Sequence, residues 1–302
     1  MCGVMGYIGD ENAQDIIIEG LRKLEYRGYD SAGIVTVQDG KLVVHKKEGR
    51  LTNLEKELAK YNVVSHIGIG HTRWATHGAP SDVNAHPHTS MSGDVALIHN
   101  GIIENYLELK EWLQREHGSV FQSQTDTEVV AHLISVLYNS DLLDTCFRAV
   151  EKMRGAYALG ILHEKEPDKL IAIRKDSPLV VGLGKGCNFI ASDIPALLKH
   201  TKDVLLIENN EIVVITKEAV TIYDSDRKPV ERAPYHVTWD AATAEKEGYD
   251  HFMIKEIHEQ PKGLRDTLTA RLDQAGNIKL DGISLTKEDL EQLDRIYIVA
   301  CG

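Results

Sequence analysis

Cys2 is the residue whose type and place best suit catalysis, because it directly follows the initiator methionine. A small second residue normally permits removal of Met1, so the mature chain is expected to begin with cysteine. A terminal cysteine combines a thiol with a free α-amine, whose ordinary pKa of about 8 lets it take the thiol proton directly or through one water. Taken alone, Cys2 is more often an incidental buried thiol. The segments around it favour a nucleophile.

Glycines and a strand-to-loop segment surround this cysteine with further chemistry. Gly3, Gly6 and Gly9 alternate with apolar residues, so the backbone can approach a ligand closely. The segment at 71–78 ends a predicted strand in a loop with a guanidinium, an indole and two imidazoles. Arg73 in this loop suits a bidentate pair with a substrate carboxylate.

Asn100 and Gly101 follow another predicted strand and offer a side-chain amide beside a backbone N–H. Two donors directed at one point suit an oxyanion hole, which is needed when a thiolate attacks an amide carbonyl. Asp126 stands where a predicted helix begins and suits an α-ammonium group. Its alternative role is helix capping, and the two roles are compatible.

The elements that must position these residues are short strands mixed with amphipathic helices. Strands are predicted at residues 4–8, 34–37, 42–44, 67–74, 95–99, 157–162, 170–174, 179–183, 189–191, 204–207, 212–215 and 220–223, and helices at 12–26, 103–117 and 128–138. Blocks of strands and blocks of helices favour an α+β fold over a parallel βαβ sheet.

Three local signals refine this prediction. Asp39-Gly40 between two apolar runs is typical of a tight hairpin. Gly28 is expected to end the first helix in a left-handed conformation. The segment at 125–128, Thr-Asp-Thr-Glu, fits a capping box for the helix that follows.

Composition narrows the classes of protein to consider. The 302 residues include 34 Lys and Arg against 46 Asp and Glu, a formal net charge of −12, which argues against a nucleic-acid surface. No stretch approaches the roughly 20 apolar residues of a membrane span, and no targeting segment is recognisable, so the cytoplasm is expected. The cysteines lack the spacing of a disulfide framework or a zinc finger.

Several long motifs, in order along the chain, carry a resemblance to a known family. They are Cys2-Gly3, residues 25–33, 71–78, 84–88, 99–105, 125–128, 177–182, 189–193, 255–257 and 259–261. Together they closely resemble the glutamine–fructose-6-phosphate aminotransferase (isomerising) family over essentially the whole chain.

The resemblance implies a fold and an activity. The fold is the four-layer αββα sandwich of N-terminal-nucleophile, class II glutamine amidotransferases. Family members hydrolyse L-glutamine in this domain and pass the ammonia to fructose 6-phosphate in a second domain, giving glucosamine 6-phosphate for hexosamine synthesis. No cofactor and no metal is implied.

The resemblance also implies roles for particular residues. Cys2 is the nucleophile, with its α-amine as base, and Asn100 and Gly101 are the oxyanion donors. Arg73 holds the glutamine carboxylate, while Asp126 and the Gly101 carbonyl hold its ammonium group. The other implied residues are Arg27, close to the nucleophile, Trp74, Thr76 and His77, on a loop that closes over glutamine, with Trp74 also gating ammonia.

Three parts are predicted along the chain. Residues 2–224 form the glutaminase domain, 225–285 a linker with an interdomain helical segment, and 286–302 the truncated start of a sugar-isomerase (SIS) domain, whose first strand is expected at 296–300. Fructose 6-phosphate is then a partner of the full-length enzyme alone. The full-length enzyme is expected to be a homodimer, and a regulatory protein partner is left open.

Some of these patterns have other interpretations. Six histidines between His66 and His99 raise a metal site, but His86 and His88 lack the spacing and third ligand of a convincing one. The glycine-rich segment at 182–186 precedes a strand, so a hairpin is favoured over a phosphate loop. The alternative functions are another class II amidotransferase, such as amidophosphoribosyltransferase, and a non-enzymatic module in which Cys2 is dispensable.

Overall fold

Two compact units, residues 1–244 and 245–302, make up the chain in the computed structural model. The structure describes residues 2–239, 248–273, 275–280, 282–283 and 285–299. Met1, whose removal the sequence predicts, and Cys301 lie outside the described residues. Among the described helices, none combines the length and apolar character needed to cross a membrane.

The first unit is built on two sheets. Its strands are β1 (Gly3–Gly9), β2 (Ser31–Gln38), β3 (Lys41–Glu48), β4 (Ile67–Arg73), β5 (His88–Thr89), β6 (Val95–Ile103), β7 (Gly155–His163), β8 (Leu170–Lys175), β9 (Val180–Leu183), β10 (Cys187–Ala191), β11 (Asp203–Leu206), β12 (Glu211–Ile215), β13 (Val220–Tyr223), β14 (Pro229–Val230) and β15 (Tyr235–His236). One sheet has eight strands in the order β15-β11-β9-β10-β1-β4-β2-β3, and the other has seven in the order β14-β13-β12-β8-β7-β6-β5. Neighbouring strands within both sheets run antiparallel.

Helices cover the outer face of each sheet. The helices of the first unit are α1 (Ala13–Leu24), α2 (Leu51–Leu58), α3 (Tyr106–His117), α4 (Thr127–Leu137) and α5 (Leu142–Val150). Helices α1 and α2 share a core with the eight-stranded sheet, and α3, α4 and α5 share one with the seven-stranded sheet. A third core joins residues of both sheets, so the layers are helix, sheet, sheet, helix.

Strand β1 shows how the sequence produces these layers. Val4 and Ile8 belong to the core between the sheets, while Met5 and Tyr7 belong to the core under the helices. Side chains alternate between the faces of a strand, so a strand buried on both faces is apolar throughout. This central strand begins directly after Cys2 and leads from it into the core.

Most predicted elements are confirmed, including the hairpin at Asp39-Gly40, where both residues have positive φ of 50° and 74°. The start predicted for the helix at 103–117 is wrong, because residue 103 ends β6 and α3 begins only at Tyr106. The capping box is half formed. Thr125 Oγ1 accepts the Glu128 N–H at 3.4 Å, but the Glu128 carboxylate turns to the N–H groups of Gln122 and Ser123.

The predicted left-handed cap at Gly28 is wrong as well. Helix α1 ends at Leu24 and passes through a 3-10 turn, Glu25–Arg27, into Gly28, whose φ of −169° is extended backbone. A glycine is needed here for a different reason, the close approach of the backbone of Arg73 and Trp74.

The second unit contains α6 (Phe252–Thr269) and α7 (Lys287–Glu291). The helical segment expected within residues 225–285 is therefore found as α6, while residues 240–247 lie outside the described residues. The strand expected at 296–300 is not found, because residues 296–299 have no regular structure and are exposed, and residue 300 is outside the described residues. A strand forms only with a neighbour to pair with, and the described part of this unit has no strand beside it.

Candidate active site

A cavity of about 250 Å³ opens where β1 begins and where β4 and β6 end. Every site residue implied by the sequence lines it. They are Cys2, Arg27, Arg73, Trp74, Thr76, His77, Asn100, Gly101 and Asp126. The volume suits a small metabolite rather than a macromolecular segment.

Cys2 lies half-buried against the backbone of Trp74. The Trp74 N–H donates to the Cys2 sulfur at 3.1 Å, and the thiol lies 3.6 Å from the Trp74 carbonyl oxygen. Burial raises the pKa of the Cys2 thiol above its ordinary value, although the Trp74 N–H and the Arg73 charge act in the opposite direction. The thiol is therefore mainly protonated at neutral pH, so its use as a nucleophile requires a base.

The loop after β4 is held against Cys2 by close backbone packing. A Cβ on Gly28 would lie 2.8 Å from both the Arg73 carbonyl carbon and the Trp74 nitrogen, so a side chain there would displace the loop. The Asp30 N–H donates to the Arg73 carbonyl at 2.9 Å, and the Asp30 carboxylate accepts the Ala75 N–H at 2.9 Å. The segment at 25–33 thus positions the loop that carries Arg73 and Trp74.

Arg73 is a buried guanidinium with spare hydrogen-bonding capacity. It is only 4% exposed, and its Nη2 donates to the carbonyls of His77 and Gly78. Its Nη1 is buried and has no hydrogen-bond partner among the described residues. An unpaired buried donor costs on the order of 1–3 kcal/mol, so a charged ligand group at this position would be strongly favoured.

Asp126 presents a carboxylate at the same cavity. Its Oδ2 accepts the backbone N–H of Ile103 at 2.8 Å, and the residue is 5% exposed. It precedes α4, but its side chain makes no capping hydrogen bond, so the carboxylate is directed to β6 instead. The sequence predicted Asp126 at the start of a helix. In the structure its carboxylate connects the start of α4 to strand β6, which carries Asn100.

Asn100 and Gly101 lie within the last part of strand β6, where it borders the cavity. The Asn100 amide nitrogen donates to the Cys2 carbonyl oxygen at 2.9 Å, which holds Cys2 and the amide side by side. Gly101 has a φ of +125°, and a Cβ there would meet the Ala156 carbonyl oxygen at 2.0 Å. Only glycine fits this backbone.

Arg27 and the loop residues complete the walls. Arg27 forms an ion pair with Asp193, and its Nε donates to the Tyr26 hydroxyl at 3.0 Å. Trp74 is 46% exposed and packs edge-on against Tyr29, with ring centroids 5.7 Å apart.

Thr76 and His77 lie next to each other on the same loop. The Thr76 hydroxyl lies 3.3 Å from His77 Nδ1, and the His77 ring contacts Tyr106 edge-on at 5.9 Å. Loop closure and ammonia gating, implied for these residues and for Trp74, stay predictions.

Further residues line the cavity that the sequence had not assigned to the site. They are His71, His86, His99, Ile102, Thr125, Thr127, Ser177, Pro178 and Ser192. Ser192 has a clear structural task, since its hydroxyl accepts the Val4 N–H at 3.0 Å and its own N–H donates to the Val4 carbonyl at 3.0 Å. Several of these residues stand in the motifs quoted above, which was the available signal.

Three histidines that line the cavity, His71, His86 and His99, are buried. The rings of His71 and His86 stack with centroids 4.2 Å apart, and burial lowers the pKa of His71 to about 3. The described residues contain no group of three or more His, Cys, Asp and Glu side chains that could hold a metal ion.

Comparison with known sequences identifies the family of the chain. The family described as a glutamine amidotransferase domain matches residues 43–227. The chain belongs to this family. Arg73 and Asp126 lie within the matched residues, and Cys2 lies before them in the sequence.

Curated relatives extend the similarity over the full chain. The glutamine–fructose-6-phosphate aminotransferase (isomerizing) of Clostridium tetani is 55% identical over 302 residues, which are 100% of this chain and 50% of that protein. The enzyme of the same name from Clostridium acetobutylicum is 54% identical over the same shares. The chain thus spans about half the length of the curated relatives it matches, and the predicted family resemblance is confirmed.

A solved structure supports the fold. The glutamine phosphoribosylpyrophosphate amidotransferase of B. subtilis, complexed with ADP and GMP, matches with a TM-score of 0.65 and 32% identity. The match covers 76% of this chain and 50% of that one. With the two antiparallel sheets between helices, it confirms the predicted αββα sandwich of the class II amidotransferases.

Proposed function

We propose that this chain hydrolyses L-glutamine to glutamate and ammonia, with Cys2 as the nucleophile after removal of Met1. One observation carries the proposal: a single small cavity is lined by the Cys2 thiol, the Asn100 amide and a buried Arg73 with an unpaired donor. A thiol, an amide donor and a carboxylate site are the groups that hydrolysis of an amino-acid amide requires.

Glutamine would bind through its two charged groups. Arg73 offers Nη1 to the α-carboxylate, and Asp126, together with the Gly101 carbonyl, takes the α-ammonium group. The opposite charges of these two residues favour a zwitterionic amino acid over a simple anion or cation. Trp74, Thr76 and His77 would then close over the bound substrate and exclude water, and Arg27 would stand beside the nucleophile.

The first chemical step forms a thioester. The α-amine of Cys2 takes the thiol proton, the sulfur attacks the side-chain carbonyl carbon, and the C=O electron pair moves onto oxygen. The Asn100 amide and the Gly101 backbone N–H would stabilise this oxyanion. The C–N bond then breaks, and the ammonium group of Cys2 returns its proton to the departing ammonia.

The second step restores the thiol. The α-amine takes a proton from water as the oxygen attacks the thioester carbonyl. The C–S bond then breaks to release glutamate, and the ammonium group of Cys2 returns its proton to the sulfur. The free amine is essential in both steps, because with Met1 attached the Cys2 nitrogen would be an amide without basicity.

In the complete protein we propose that the ammonia is transferred to fructose 6-phosphate to give glucosamine 6-phosphate, the first step of hexosamine synthesis. The curated relatives over the whole chain support this acceptor, whereas the phosphoribosylpyrophosphate amidotransferase is similar over a smaller share at lower identity. Trp74 would gate the passage of the ammonia. The proposed reaction needs no cofactor.

We further propose the three-part division of the chain at 224/225 and 285/286, a cytoplasmic location, and a full-length homodimer.

The test is glutamate and ammonia release by the purified chain, with removal of Met1 verified by mass spectrometry. Cys2→Ala and a form that keeps Met1 are each expected to lose activity by about a thousandfold or more, because one lacks the nucleophile and the other its base. Turnover unchanged in both forms would disprove the mechanism and favour a non-enzymatic module.

A further inference from the structure

We infer that His71 is a positioning residue that fixes the side-chain amide of Asn100 with its NH2 group, rather than its oxygen, toward the nucleophile and substrate. The inference rests on the proposed function and adds to it a residue to which no role was assigned. His71 acts through Asn100 and needs no contact with substrate.

The Asn100 amide is held from both ends. Its nitrogen donates to the Cys2 carbonyl oxygen at 2.9 Å, and its oxygen lies 2.9 Å from Nε2 of His71. Rotating the amide by half a turn would set two oxygens against each other at Cys2. Since an amide nitrogen carries two hydrogens, this orientation leaves one N–H for the cavity that Asn100 lines.

The same contact sets the state of the His71 ring. The Asn100 oxygen can only accept, so Nε2 of His71 must carry the hydrogen. The side chain is fully buried, and burial lowers its pKa to about 3, so the ring is neutral at working pH. A neutral donor supports the amide without placing a positive charge beside the thiol and Arg73.

The ring is held in place by a second histidine. His86 stacks on His71 with centroids 4.2 Å apart and an angle of 20° between the planes. Nδ1 of His86 accepts the His99 N–H at 3.3 Å, and its Nε2 lies 3.4 Å from the Thr127 hydroxyl. His71 belongs to the eight-stranded sheet and Asn100 to the other, so their hydrogen bond aligns the sheet that carries the nucleophile with the one that carries the amide.

The test compares two ligands that differ in their need for an oxyanion hole. Glutamate binds without reaction, whereas the γ-aldehyde analogue of glutamate adds the Cys2 thiol. The C–S bond forms, the C=O pair moves onto oxygen, and the thiol proton passes through the α-amine to that oxygen. The Kd for glutamate divided by the Kd for the aldehyde therefore reports stabilisation of the tetrahedral adduct.

His71→Phe keeps a ring but removes the donor, and His71→Gln keeps a donor nitrogen near the position of Nε2. The phenylalanine variant is expected to weaken aldehyde binding about tenfold to a hundredfold and to leave glutamate binding within about twofold. The glutamine variant is expected to stay within about threefold of the unaltered chain for both ligands. Should phenylalanine not fit, His71→Leu takes its place.

An Asn100→Ala background supplies the matched control. If His71 acts through Asn100, His71→Phe has no further effect on the Kd ratio there. Alkylation of Cys2 by iodoacetamide, which develops no oxyanion, should proceed at similar rates in all forms and shows that the site is folded.

The outcomes separate this inference from the proposed function. If the unaltered chain neither hydrolyses glutamine nor binds the aldehyde more tightly than glutamate, the proposed function fails. If it does both and His71→Phe leaves the ratio unchanged, or His71→Gln lowers it as much as His71→Phe, His71 does not position Asn100.

Discussion

The chemistry proposed for this chain depends on a few buried groups that the fold keeps incompletely paired. The Cys2 thiol is held protonated by burial, and Arg73 keeps Nη1 without a partner among the described residues. The unpaired buried donor is unfavourable in the free protein, and a bound carboxylate would satisfy it. Such arrangements are typical of a binding site rather than of a structural core.

At the residue scale, Arg73→Lys is expected to raise the KM for glutamine about tenfold to a hundredfold with a smaller change in kcat. The planar guanidinium of Arg73 can donate to the carbonyls of His77 and Gly78 and pair with a carboxylate at the same time. Lysine keeps the charge but loses this planar group. Steady-state kinetics over a range of glutamine concentrations measures the two constants separately.

Arg22→Lys is the matched control for this variant. Arg22 lies on α1 and forms an exposed ion pair with Glu55, so the same exchange there should leave KM within about twofold. Equal effects of the two exchanges, or none at Arg73, would argue against a carboxylate site at Arg73.

At the scale of elements, the site depends on how its loops are fastened. The segment before α4 carries Thr125 and Asp126, and it is tied to the helix by Glu128. The Glu128 carboxylate accepts the Ser123 hydroxyl at 2.6 Å and the N–H groups of Ser123 and Gln122 at 2.7 and 2.8 Å. Burial raises the Glu128 pKa, but the hydrogen bonds from His132, Gln122 and Ser123 outweigh it and lower the pKa to about 2.

Glu128→Gln is therefore expected to lower the free energy of unfolding by about 1–3 kcal/mol at pH 7. The carboxylate has a lower pKa folded than unfolded, so it stabilises the fold above the ordinary value of 4.5 and less as pH falls toward about 2. The difference in Tm between the two proteins should be constant near pH 7 and shrink between about pH 5 and pH 2.

The exposed Glu116 on α3 offers the control. It pairs only with its neighbour Arg115 at the surface among the described residues, so Glu116→Gln should change Tm little at any pH. A Tm difference for Glu128→Gln that does not depend on pH would mean that the charge of this carboxylate has no part in holding the loop.

At the scale of the whole molecule, the three apolar cores and the cavity all lie in the first unit. The core residues extend from Val4 to Val237, and the cavity residues from Cys2 to Ser192. Strand β15 and Val237 belong to this assembly although they lie beyond the boundary proposed at 224/225, which itself stays a prediction.

A polypeptide of residues 1–239 is consequently expected to unfold cooperatively and, after loss of Met1, to keep Cys2 as reactive toward iodoacetamide as in the 302-residue chain. Thermal unfolding followed by near-ultraviolet circular dichroism, with alkylation rates measured in parallel, checks both. As a control, a polypeptide ending at residue 202 lacks β11 and β12 and should not fold cooperatively. Gradual unfolding of the longer one would show that the first unit does not fold independently.

The sequence by itself determined twelve of the strands, three of the helices and the types of chemistry. Apolar alternation predicted the strands, and the order of motifs predicted the αββα fold, because both signals lie in short stretches of chain. Each residue assigned to the site from these motifs also lines the cavity. A helix start at residue 103 failed because the apolar run there continues a strand, which only pairing with β7 reveals.

Only the tertiary structure decided how these residues act on one another. The hydrogen bond from Asn100 to Cys2 spans 98 positions of the chain, and the one from His71 to Asn100 joins two sheets. The sequence predicted Gly28 to be a helix cap. The position requires glycine because the backbone of Arg73 and Trp74 packs against it. Such contacts depend on the distance and orientation of elements remote in sequence, and no local pattern encodes them.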